Sequence, residues 1–119
     1  MNSIDFVSSI RLGVVEENLK LYREIYTASP DALDGYWKRA LSLFSVLSED
    51  QQDVFFEIIR QIEVDTVSNV LGVIDGVNSV GGGFVNVRIL CGESGEDIGG
   101  GLQDIFLEAE EKYAEEKGK

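Results

Sequence analysis

The segment from Glu49 to Asp75 has no proline and a single glycine, Gly72, and its apolar residues recur at helical spacing. Ser48-Glu49-Asp50-Gln51 opens it with the spacing of a capping box, serine at the cap and glutamine three residues on. At 1.5 Å per residue an unbroken helix here is about 40 Å long. A compact chain of this size has a radius of gyration of only about 13–14 Å, so such a rod dominates whatever folds around it. Its apolar stripe also turns partway. Up to Ile62 the stripe is Val54, Phe55, Ile58, Ile59 and Ile62, opposite an acidic row at Glu49, Asp53 and Glu57. Beyond Glu63 it is Val67, Val70, Leu71 and Ile74, rotated by about 120°. A central helix that packs on different neighbours at its two ends explains the rotation better than a bend.

The flanking segments supply those neighbours. From Ser3 to Thr27, the residues Ile4, Val7, Ile10, Val14, Leu21 and Ile25 follow helical steps, with Ser3 as candidate cap and Gly13 as a weak point. Ser29-Pro30-Asp31 reads as a helix restart, because proline fits the first helical position. Asp34 is a second candidate cap for a helix through Leu47, in which Trp37 and Phe44 are expected core anchors. Leu102, Ile105, Phe106, Ala109 and Tyr113 form the buried stripe of a last helix, with Glu108, Glu111 and Glu115 facing solvent.

Gly76 stands where a left-handed helix C-cap belongs. After a glycine-rich loop, the run from Phe84 to Cys91 alternates in the manner of a strand, with Val85, Val87, Ile89 and Cys91 on one face. One strand cannot satisfy its own edges, so it needs a hairpin partner near Ile98 or a second copy of the chain. The expected architecture is a single predominantly helical α+β domain over 1–119, three or four helices with a small β-hairpin before the last. Its parts are helical 1–75, a glycine-rich loop and β element at 76–101, and a C-terminal helix at 102–119.

Composition narrows the chemistry. The 119 residues include no histidine and one cysteine, Cys91. Ser-His-Asp and Cys-His sites, imidazole zinc sites, intramolecular disulfides and four-thiolate clusters are therefore impossible within the chain. Cys91 reads as a small core residue. The glycine triplet before the last helix lacks the lysine and hydroxyl of a phosphate loop. Asp75-Gly76-Val77-Asn78 fails as a calcium loop because Asn86 stands where the closing glutamate belongs. Without an Asp-Ser-Leu tripeptide the chain is not an acyl carrier protein. No cofactor, metal or catalytic set is expected. No secretory signal or membrane-length apolar run appears, and a single thiol suits the cytoplasm.

The net charge of −12 disfavours nucleic acid and anionic membranes and favours a basic partner. It is uneven: −1 over residues 1–48, −6 over 49–75 and −5 over 76–119. Glu49, Asp50, Asp53 and Glu57 are the candidate partner-binding residues. Asp65, Thr66, Ser68 and Asn69 interrupt the apolar helix and are expected to form a network that fixes its seating. In size, acidity and lack of a catalytic set the chain is similar to bacterial immunity proteins and antitoxins. That similarity implies a non-enzymatic inhibitor of a basic toxin or nuclease. Two alternatives are a nucleic-acid mimic and a structural protein that dimerises through Phe84 to Cys91.

Overall fold

The computed structural model describes residues 1–28 and 34–118. The fold is α+β and predominantly helical, with one small two-stranded sheet. Asn2, one residue before the expected cap, accepts the Asp5 N–H at 2.8 Å and starts α1 (Ser3–Ile10). A π-helical turn at Arg11–Glu16 joins α1 to α2 (Glu17–Ala28), so the weak point at Gly13 becomes a change in winding. The Ser29-Pro30-Asp31 restart lies outside the described residues. Asp34 caps α3 (Gly35–Ser45) by accepting the Trp37 N–H at 2.9 Å.

Helix α4 (Glu49–Ile74) is unbroken, and both bonds of its Ser48/Gln51 capping box form. It sets the shape of the molecule, which measures 48 × 37 × 31 Å with a radius of gyration of 17.6 Å. The two ends of α4 do pack on different neighbours. Toward its C-terminus, Val64 and Leu71 join Val7, Val15, Leu102 and Phe106 in one core. Toward its N-terminus, Phe56 joins Leu19 and Phe44 in a second. Tyr26 links the rings there, with centroids 4.9–6.3 Å from those of Trp37, Phe44, Phe55 and Phe56. Trp37 is only half-buried, set edge-on or tilted against Tyr22, Tyr26 and Tyr36 at the edge of this cluster, so it is not a core anchor as expected. No helix among the described residues is long and apolar enough to cross a membrane.

Two expectations about buried faces need correction. Val54, Ile58 and Ile62 are 49%, 55% and 60% exposed. Phe56 takes the buried position instead, with Phe55 and Ile59 packed beside it, because the aromatic cluster draws the helix face around toward Phe44. The eight-residue strand from Phe84 to Cys91 also contracts. Only β1 (Leu90–Cys91) pairs, antiparallel to β2 (Glu96–Asp97), and Ile98 N–H reaches back to Ile89 C=O at 2.9 Å. Glycine turns at both ends and exposed Phe84 and Val87 leave the run little to pack on. Val85, Ile89 and Cys91 are half-buried while Val87 is exposed, so the expected alternation holds only in part.

The join between α4 and α5 (Leu102–Lys117) fixes where the last helix sits. Gly76, at φ 77°, ends α4: its N–H bonds Val73 C=O at 3.1 Å, and the Val77 N–H bonds Gly72 C=O at 3.0 Å. Gly101 begins α5 without any capping side chain. Asp75 supplies the cap from across the chain, accepting the Leu102 N–H at 3.1 Å and the Gln103 N–H at 2.8 Å. A carboxylate at that position also meets the positive end of the α5 dipole.

The interrupting polar residues of α4 take part unequally. The Gln103 amide donates to Ser68 C=O at 3.0 Å and to Ser68 Oγ at 3.3 Å, and the Asn78 amide donates to Asn69 C=O at 3.3 Å. Thr66 and Asp65 are exposed, and among the described residues Asp65 accepts only from Gln61. Gly72 lies under this cluster because a Cβ would overlap the Asn78 amide and come within 2.8 Å of Gln103 Nε2.

Substituting Asp75→Ala removes two capping bonds and is expected to cost about 1–2 kcal/mol. Urea denaturation followed by circular dichroism checks this, and an unchanged midpoint would show that α5 needs no cap from α4.

Candidate functional site

The four residues singled out by charge occupy the first turns of α4. Glu49 and Asp50 lie in its first turn, where acidic side chains suit the helix dipole. Asp53 and Glu57 follow at four-residue steps, so carboxylates recur about every 6 Å along the axis. All four are exposed, and among the described residues none has a salt-bridge partner. The row was expected to stand opposite a buried stripe, and the structure corrects that. Val54, Ile58 and Ile62 stand in solvent instead of being buried, with Val54 one turn from Asp50 and Glu57, and Ile58 and Ile62 further round the helix. The exposed surface of α4 thus passes from a strip of carboxylates to a strip of aliphatic groups.

Glu57 also stands on the rim of an open cleft of about 750 Å³ between α2, α4 and α5. Phe56 and Tyr113 line it together with Arg23, Arg60 and Lys117. The Arg23 guanidinium covers the Phe56 ring, 4.6 Å from its centroid. Among the described residues no three Asp, Glu or Cys side chains gather closely enough to hold a metal ion.

Sequence reasoning missed the charged cluster at the back of this cleft. Arg60 Nη2 donates to Glu16 Oε1 at 2.6 Å and to both oxygens of Glu110 at 3.1 Å, while its Nε reaches Glu16 at 3.2 Å. Its guanidinium also lies 3.9 Å from the Tyr113 ring centroid. Arg11 approaches Glu110 from the other side, at 3.7 Å. Five residues apart, Arg11 and Glu16 would diverge by about 140° on an ordinary α-helix. The π turn between them, with its wider i→i−5 bonding, narrows that divergence, so that Glu16 meets Arg60 and Arg11 meets Glu110 in one cluster. The available clues were that Arg60 is the only basic residue between Glu49 and Asp75, and that Glu110 falls within the apolar stripe of α5.

Burial alone lowers the pKa of Arg60, but hydrogen bonds and charge from Glu16 and Glu110 outweigh it, and the net shift is upward. Glu63 is placed less favourably. Burial, and then the nearby Glu16 charge, raise its pKa against the opposing pull of Arg60, and its Oε2 is buried without a hydrogen-bond partner.

The chain matches no protein-family model, no curated protein and no solved structure.

Two variants probe the charged cluster. Arg60→Ala leaves Glu110 in a site only 10% exposed with one distant cation, and is expected to cost about 3 kcal/mol by urea titration. For Glu63, a folded-state pKa above the unfolded one means that ionisation opposes folding. Its penalty is full at neutral pH and fades as pH falls through the raised value toward the ordinary carboxylate range. Glu63→Gln should therefore stabilise the protein at pH 7, with a gain that shrinks on acidification. A gain independent of pH would mean that packing, not charge, is responsible.

Proposed function

We propose that the protein is a non-enzymatic binding module that docks a basic protein on the outer face of α4, in the manner of an inhibitor of a basic toxin or nuclease. The observation that carries this reading is that the exposed surface of α4 passes from carboxylates with no ion-pair partner among the described residues to uncovered aliphatic side chains further round the helix, the two meeting where Val54 lies one turn from Asp50 and Glu57. Each half has a separate physical role. Glu49, Asp50, Asp53 and Glu57 attract a cationic surface over distance, raising the association rate in a salt-dependent way. Val54, Ile58 and Ile62 then supply apolar area whose removal from water holds the complex together, at about 25 cal/mol per Å² before the costs of association. Solubility alone accounts for the acidic residues but not for the aliphatic strip beside them.

Like charges at four-residue spacing repel by a few tenths of a kcal/mol per pair, so neutralising the row does not harm the fold. The test is a capture experiment from source-cell lysate, followed by kinetics on the purified partner. Combining Glu49→Gln, Asp53→Asn and Glu57→Gln should leave stability unchanged or slightly raised, slow association about tenfold or more, and flatten the salt dependence. Ile58→Lys should mainly accelerate dissociation. A partner that binds both variants with wild-type rates and salt slope would overturn the reading.

A further inference from the structure

We propose that residues 84–90 form the contact surface for a second copy of this chain, two extended segments pairing edge to edge across a two-fold axis. Four independent observations lead there.

The first is the backbone. Among the described residues, the N–H and C=O groups of residues 84–88 make no hydrogen bond to the rest of the chain; the first to do so is the Ile89 carbonyl. The adjoining sheet has only two residues in each strand, too few to be stable on cross-strand bonds alone. An extended run with open donors and acceptors on a minimal sheet is a template for another strand.

The second is the side chains. Val77, Val80, Phe84, Val87 and Leu90 are 61%, 50%, 69%, 47% and 52% exposed, all within one short stretch. Water solvates open peptide groups well enough, but it does not solvate five large apolar side chains at no cost.

The third is area. The chain exposes 8146 Å². A folded monomer of its mass exposes about 6,400 Å², so this one carries an excess of about 1,700 Å². A standard interface covers about 800 Å² on each partner, so one dissociable dimer contact would take up about half of the excess.

The fourth is charge, and it selects the occupant. Residues 76–92 are the longest stretch of the chain without an acidic side chain. Their one charge, Arg88, is bonded to Asp97 at 3.3 Å. A basic partner has nothing to recognise there. Two copies of charge −12 repel least where neither presents carboxylates. A two-fold contact sets the same apolar residues against each other and needs no second sequence. The segment lies by the C-terminal half of α4, with Val85 near Gly76 and Ile89 against the aliphatic core, away from the acidic first turns.

Sedimentation equilibrium on the intact protein tests this directly. The wild type should show twice the 13.1 kDa chain mass at high micromolar concentration and dissociate on dilution. Combining Phe84→Lys and Val87→Lys places like charges across the axis, and should leave a monomer with unchanged helical circular dichroism. Hydrogen exchange gives a readout that needs no variant: alternate amides within residues 85–88, those on the pairing edge, should be protected at high concentration and exchange freely at low concentration. A wild type that stays monomeric throughout overturns the proposal. So does a dimer that survives both lysines, or one that Ile58→Lys dissociates instead.

Discussion

The Arg60 guanidinium ties together three elements of the helical body. It bonds Glu16 in the π turn and Glu110 in α5, and lies over Tyr113, all from the middle of α4. It also marks the boundary between the two cores: Phe56, one turn before it, belongs to the aromatic cluster, and Val64, one turn after it, belongs to the aliphatic one. The same order holds on the other helices, where Glu16 falls between Val15 and Leu19 and Glu110 follows Phe106. A polar layer at this level is a poor source of net stability, since desolvation offsets much of its attraction. Its effect is on register. A slip of any one helix would strand a charge against apolar side chains, so the layer sets the axial alignment of helices whose apolar faces alone would tolerate sliding.

Much of this architecture was legible because it rests on local signals. The capping box at Ser48, the cap at Asp34 and the left-handed glycine at 76 are short-range chemistry, and they form as their spacing dictates. The division of α4 into two packing regimes was also visible in the rotation of its stripe. The direction of the buried arc in its first half was not. Val54, Ile58 and Ile62 satisfy helical periodicity as well as Phe56 does, and only the position of Phe44 and Tyr26 decides between them. Asp75 was likewise unreadable as a cap, because the N–H groups it serves are at Leu102 and Gln103, far along the sequence. The charged candidates Glu49, Asp50, Asp53 and Glu57 were legible as an exposed row, while Glu16, Arg60 and Glu110 were not legible as a cluster. A wheel diagram reports exposure on one helix; it cannot report a contact among three.

The rod-like α4 also separates the two surfaces. At 1.5 Å per residue, its acidic first turns and its glycine-terminated last turn are about 30 Å apart. A pairing at the far end would therefore present two acidic faces outward, well separated and free to act independently. Such an arrangement raises effective affinity for a partner that itself presents two basic surfaces.

The Asp75 cap has a topological consequence. By holding the first residues of α5 against the C-cap of α4, it brings together the two ends of everything between them. Residues 76–101 are therefore an excursion closed at its neck and tied back to the helices by Asn78 and Ile89, with Ile98 buried beside them. Because its ends are already held together, lengthening it costs only about 0.6 kcal/mol per doubling. Away from those anchors its sequence is free to vary around whatever contact it makes.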